Sequence, residues 1–315
     1  MFLKEKFNYI KVVFKIKLNK YIQSKHLRFK TGGAKYACIE KFSDFVFVDL
    51  FEDIKIVVGT SWISNKEEIF QIVKYLTKQN KKIEWREANK LFDIKDIIRI
   101  SKINPNVILN FRYMEGRNTC GANENLTCKI SSYIEIMKKI KYLKKVCETK
   151  YSNEDDKAIF VAVQITKYMR YDDSKFFDSC LENALIHKIG VCIDFSIAYF
   201  KILTEFGIRC KVITGLSGSR NYSVVDIMDH AWNQVRLNNK WYNIDLTWYS
   251  TGKTIEYFLV DDVKFKKNNR HQYESSIPLE KCNENYDINL LNEKIKRMQQ
   301  DPGYRTEFDI YGDRL

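Results

Sequence analysis

Three residues in the second half of the chain, Cys192, His230 and Asp245, are of the types that together perform acyl transfer. A thiolate attacks a carbonyl, an imidazole shuttles the proton, and a carboxylate orients the imidazole and stabilises its charged form. Cys192 lies in "GVCIDFSIAYF", residues 190–200. Three readings of it compete: a small hydrophobe in a core, half of a disulfide, or a nucleophile at a helix N-terminus. His230 at a strand start can be merely structural, and Asp245 can serve only to satisfy a turn. Taken singly, each residue is explained without catalysis; taken together, their placement on secondary structure favours chemistry.

The spacing predicts a helix over "GVCIDFSIAYFKILTEFG", entered at Gly190 and stopped at Gly207. Apolar residues cover nearly every face, from Ile193 through Phe206, so this helix is expected to be buried. Cys192 then falls in the first turn. There the helix dipole favours a thiolate, and backbone N–H groups can hold a developing oxyanion. The chain has four histidines. His26 lies in a basic stretch, His187 just before the cysteine segment and His271 in a polar loop. His230 opens "HAWNQVRL", and "KWYNIDLTW" follows after Asn238 and Asn239, which read as a two-residue hairpin turn. That turn pairs Leu237 with Lys240, places His230 opposite Thr247, and leaves Asp245 as its diagonal neighbour on the same face, about 7–8 Å away. A three-residue turn would separate the two onto opposite faces.

The surrounding elements fill out the chain. "FVFVDL" and "IKIVVG" read as strands. "SNKEEIFQIVKYLTKQ" reads as a helix with Ser64 and Glu67 in a capping-box pattern and Ile69, Ile72, Val73 and Leu76 on one face. With the helix "DIKDIIRIS" and the strand "NVILNFRY", residues 1–117 comprise a basic arm and a small α/β region that lacks a glycine-rich phosphate loop. "EGRNTCGANENLTC" is the candidate boundary. Helices follow it, then the Cys192 helix, the strands "RCKVITGL", "HAWNQVRL" and "KWYNIDLTW", the segment "EYFLV" and the helix "DINLLNEKIKRMQ". A domain is expected over 130–300, with a polar tail at 301–315. "STGKT" at 250–254 lacks the upstream glycine of a phosphate loop and reads as a turn after a strand.

The formal net charge is +13, and within residues 1–30 Glu5 is the only acid. No nucleic-acid recognition motif accompanies the charge, so a nucleic-acid role is not expected, although an acidic partner could dock on the arm. Nothing in the chain is long and apolar enough for a transmembrane segment or a secretory signal, so a cytoplasmic location is expected. The eight cysteines are scattered without a CxxC pair, which predicts reduced thiols and no zinc site.

The region around the three residues resembles the transglutaminase-like superfamily, relatives of papain-type cysteine proteases. The resemblance runs over about residues 155–275. It rests on Gly190 and Cys192, then Gly207–Ile208, then "HAWNQV", then "WYNIDLTW", then "EYFLV", with "AIFVAVQITKYMRYDD" upstream. It implies an α+β fold with a papain-like core, the helix carrying Cys192 packed on an antiparallel sheet. It further implies attack by Cys192 on an amide or peptide carbonyl of a protein or peptide substrate, with His230 as acid and base, Asp245 as orienter and a thioester between. Hydrolysis is slightly favoured over amine cross-linking; the alternative is an inactive binding module that keeps the fold. No metal or other cofactor is implied. Trp232, Trp241 and Trp248 are expected as core or wall, and Gln164, Tyr171 or Trp62 as a second oxyanion donor.

Overall fold

The structure, a computed structural model, describes residues 36–39, 55–59, 66–80, 82–86, 93–110, 119–120, 127–174, 181–217, 230–252, 254–267, 270–272 and 279–300. The basic arm, "FVFVDL", Ser64, Trp62 and the polar tail lie outside the described residues. The chain divides into two compact units, 1–116 with 127–134, and 117–126 with 135–315.

In the first unit, strands β1 (Tyr36–Ile39), β2 (Lys55–Gly59), β3 (Ile83–Arg86) and β4 (Ile108–Asn110) run parallel in that order, and β6 (Thr127–Lys129) closes the sheet antiparallel to β4. Helix α1 (Lys66–Lys78) buries Ile69, Ile72, Val73 and Leu76, the face its sequence period predicts. Helix α2 (Ile94–Ile103) is capped by Asp93, whose carboxylate accepts from the Lys95 and Asp96 amides while Asp96 reaches back to the Asp93 N–H. Glu67 of α1 forms a two-pronged pair with Arg99 of α2.

In the second unit, a five-stranded sheet runs in the order β12-β11-β10-β9-β5, with β5 being Thr119–Cys120, β9 Cys210–Gly215, β10 His230–Leu237, β11 Lys240–Ile244 and β12 Phe258–Val260. The two short strands β7 (Arg170–Tyr171) and β8 (Ile189–Gly190) pair separately. Helices α3 (Ile130–Lys150) and α4 (Glu154–Tyr168) precede helix α5 (Cys192–Phe206), which packs on β9 and β10. The mixed helical and sheet architecture is α+β. Residues 192–203 of α5 are buried without interruption, because an all-apolar helix must be enclosed on every side. Gly207 ends it at φ +81°, where its N–H reaches the Leu203 and Thr204 carbonyls.

The β10–β11 hairpin has the predicted register. Leu237 pairs with Lys240 and Asn233 with Ile244, and Asn238 and Asn239 take left-handed φ of +49° and +67°. The predicted strand through Trp248 is corrected: β11 stops at Ile244, and residues Leu246–Gly252 form helix α6. Thr247 therefore lies in a helix and does not face His230 across the ladder. The first three residues of "STGKT", Ser250–Gly252, correspondingly form the end of this helix and not a turn after a strand. After it come a turn of 3-10 helix (Ile255–Tyr257), helix α7 (Asp262–Phe265) and helix α8 (Ile288–Gln300). Lys294 of α8 binds Asp155 and Asp156 of α4 at 2.6 and 2.9 Å.

Candidate active site

Cys192 is the first residue of α5 and is 6% exposed. Its place is fixed from both sides. Asp194 accepts the Val191 N–H at 2.9 Å, which starts the helix. Gly190 pairs with Tyr171 in the β7–β8 ladder, and a Cβ on it would lie 2.4 Å from the Cβ and Oδ2 of Asp194. Only glycine permits that approach of strand and helix. The two other readings of Cys192 separate here: it forms no disulfide, and neither do Cys128, Cys147, Cys210 and Cys282.

His230, the first residue of β10, brings Nε2 to 2.6 Å from Oδ2 of Asp245, and its other side-chain partner is Cys192. With Nε2 on the carboxylate, Nδ1 is the nitrogen left for the thiol. Trp248 stacks along the ring at 5.3 Å. Burial works against charge on His230. The Asp245 charge and hydrogen bond, joined by Cys192, outweigh it and hold its pKa up at about 10.

Asp245 reaches His230 by a route other than strand pairing. The chain leaves β11 and turns into α6 at this residue, so Asp245 is the N-cap of that helix. Its Oδ1 accepts the Trp248 N–H at 3.0 Å, and its own N–H reaches the Tyr257 carbonyl at 2.9 Å. The carboxylate is fully buried. Burial alone would push its pKa up, but the charges and hydrogen bonds of His230 and His271 hold it well below the ordinary carboxylate range.

His271, expected in a polar loop, is fully buried and is the second imidazole on Asp245. Its Nε2 lies 2.8 Å from Oδ2, and its Nδ1 lies 3.1 Å from the Phe265 carbonyl. Phe265 stacks on it at 3.8 Å, with Trp248 at 4.3 Å and Trp232 edge-on at 5.2 Å. The only signal for it in the sequence was the scarcity of histidine.

The ligating atoms of His230, Asp245 and His271 lie within 4.8 Å of one another, as a small cation would require. Two ligands about 2.0–2.1 Å from a tetrahedral ion stand roughly 3.3 Å apart. The separations here, 2.6 and 2.8 Å to one shared oxygen, are those of charge-assisted hydrogen bonds.

The remaining candidates are placed as follows. Tyr171 is 38% exposed, and burial, a hydrogen bond to Asp173 and the charges of Cys192, Asp173 and Asp245 push its pKa up. Gln164 is buried within α4. Trp232 is core, Trp248 lines the site, and Trp241 is half-buried under Lys211. Two polar side chains beside His230 on β10 hold the scaffold. The Asn233 amide donates to the Ser196 carbonyl of α5 at 3.0 Å and to Lys211 of β9 at 3.1 Å. Gln234 exchanges hydrogen bonds with the Glu280 backbone, Nε2 donating at 2.9 Å and Oε1 accepting at 3.0 Å.

The helix α5 thus presents Cys192 toward His230 and Asp245 on a mostly antiparallel sheet. Residues 140–246 match the family model of the transglutaminase-like superfamily. Among solved structures, a transglutaminase crystal structure aligns with TM-score 0.30 and 20% identity over 46% of this chain and 35% of that one. A candidate cysteine protease from Cytophaga hutchinsonii aligns with TM-score 0.29 and 17% identity over 44% of this chain and 48% of that one. The chain thus spans between about a third and a half of the length of these two structures. No curated protein matches the chain. Among the described residues, no helix is long and apolar enough to cross a membrane.

Proposed function

We propose that the chain is a thiol enzyme that cleaves an amide or peptide bond in a protein or peptide substrate through Cys192, His230 and Asp245. Cys192 Sγ attacks the carbonyl carbon, and the tetrahedral oxyanion is met by the positive end of α5. His230 gives its proton to the leaving nitrogen as the carbon–nitrogen bond breaks, which leaves a thioester on Cys192. Water then attacks the thioester, His230 takes the proton of that water, and the acid departs with the thiol restored. An amine in place of water would give a cross-link by the same steps. Hydrolysis is favoured because water needs no binding site. Tyr171 is proposed to border the acyl group. Among the described residues five cysteines form no disulfide, which suits a reducing compartment, and a cytoplasmic location is part of the proposal.

The observation that supports this reading most is the position of His230, with Asp245 on one ring nitrogen and Cys192 as its other partner. The test is iodoacetamide labelling of the reduced protein from pH 5 to 9, with the alkylated residue located by mass spectrometry. Cys192 should label faster than the other cysteines and lose that advantage in His230→Ala. Equal labelling in both proteins would refute the catalytic reading and leave a binding module. With a glutamine-containing peptide and a fluorescent alkylamine, ammonia release without amine incorporation would establish hydrolysis, and incorporation would establish cross-linking.

A further inference from the structure

Two imidazoles meet Asp245, and the proposed chemistry uses one. The other, His271, is held in place by unusual local structure. Its backbone is left-handed, φ +54°, which costs a residue with a Cβ roughly 1–2 kcal/mol. The next residue, Gln272, exchanges two backbone hydrogen bonds with Leu216, at 2.8 and 3.0 Å. The Gln272 carbonyl comes so close to β9 that a Cβ on Gly215 would lie 2.2 Å from it. A buried ring that only filled space among Trp232, Trp248 and Phe265 would be better apolar. The strained, close-fitting backbone carries a polar ring to a carboxylate instead.

The protons specify what that ring does. Nδ1 faces the Phe265 carbonyl and Nε2 faces the Asp245 carboxylate, both of which are acceptors. A neutral imidazole has one N–H to give, and the bond to a carboxylate is the stronger. The neutral ring therefore carries its hydrogen on Nε2. Burial holds the His271 pKa below its ordinary 6.5, against the pull of Asp245, so this neutral form prevails near pH 7. Among the described residues, the ionisable groups that face the ring are Asp245, His230 and Tyr257, whose hydroxyl is hydrogen-bonded to Arg270.

We infer that His271 is a positioning residue for the Cys192–His230 pair: its Nε2–H holds Oδ2 of Asp245 in line with Nε2 of His230. The Trp248 amide pins Oδ1, His271 pins Oδ2, and the carboxylate plane cannot swing away while His230 gains and loses its proton. This role rests on the acyl-transfer reading for its purpose, but its test does not require turnover.

The experiment is a nitrogen-15 NMR titration of the histidine rings in the full-length protein, for wild type, His271→Gln and His271→Phe. In wild type, His271 should carry its hydrogen on Nε2 at pH 7. A bare Nε2 there would overturn the proposal, whether or not the variants fold. In His271→Phe, which keeps the ring shape without a donor, the His230 titration should fall by about one pH unit or more as Asp245 loosens. In His271→Gln, whose amide can still donate, it should stay within about half a unit. No fall in His271→Phe, or a rise, would mean that His271 competes for the charge of Asp245 and does not hold it. Iodoacetamide labelling of Cys192 across the same pH range should be lost first on its acid side in His271→Phe, where the thiolate depends on the His230 imidazolium. If labelling is indifferent to His230→Ala, the acyl-transfer reading fails, while the NMR shifts still decide the role of His271.

Discussion

Replacing Asp245 by Asn changes one atom and should reverse the proton pattern of the site. The Trp248 N–H requires an acceptor, so the Asn oxygen must take the place of Oδ1, and the amide nitrogen then faces His230 and His271. An amide nitrogen donates, which obliges Nε2 of His230 to be bare and Nδ1, the nitrogen left for Cys192, to carry the hydrogen. A protonated Nδ1 cannot take the thiol proton. The size of the effect follows from the charge. A His230 pKa raised from 6.5 to about 10 represents on the order of 4–5 kcal/mol of net preference for the imidazolium, what remains after burial is set against Asp245 and Cys192. If Asp245 supplies about half, its loss reduces the imidazolium–thiolate pair roughly 30- to 100-fold. The assay is the second-order rate of iodoacetamide alkylation at Cys192, pH 5 to 9, with circular dichroism to establish that the variant is folded. Alkylation within about threefold of wild type across that range, in a folded variant, would refute this account of Asp245.

Other perturbations follow from the same contacts. Gly190→Ala should destabilise the protein by about 1–3 kcal/mol in urea unfolding and slow Cys192 labelling, because the new methyl must displace the Asp194 side chain that starts α5. Lys294→Met leaves Asp155 and Asp156 without their buried cation and should cost about 3–5 kcal/mol by the same measurement. Urea unfolding as a function of pH should show two flanks. Asp245, with its folded pKa depressed, contributes stability that is present above its unfolded value of 3.8 and is lost as pH falls through its folded value. His230, with its folded pKa raised, contributes stability that is fully present below its unfolded value of 6.5 and is lost as pH rises toward about 10. Asp245→Ala should flatten both flanks; if the pH dependence is unchanged, these two groups do not control it.

What the sequence disclosed, and what it withheld, follows the range of the forces involved. The helix at 192–206 and its glycine stop were legible because an all-apolar period and a left-handed C-cap are local properties. The hairpin register was legible because two adjacent asparagines tolerate the left-handed turn it needs. The end of β11 was misjudged. "IDLTW" alternates like a strand, yet Asp245 is also a strong N-cap residue, and here the cap prevails. The meeting of His230 with Asp245 was expected from strand geometry, and the structure brings them together by a turn into a helix. His271 could not be read, because its burial depends on a two-bond bridge to Leu216 far away in sequence. Ser64, half of the capping pattern expected at α1, lies outside the described residues, while Glu67 is taken up by Arg99, a partner 32 residues away.

The parts of the site are anchored with unequal depth. Cys192 heads a helix whose first twelve residues are buried, so exposing its amides requires opening much of the second unit. Among the described residues, the backbone around His271 joins the sheet by a single bridge, Leu216 with Gln272. Hydrogen exchange would therefore register two different opening free energies within a few ångströms, near the global value for α5 and smaller at Gln272. Gentle heating or low denaturant should release the grip on Asp245 while the thiol is still held at the head of its helix. Cys192 would then outlast its own activation, and loss of reactivity would precede loss of fold.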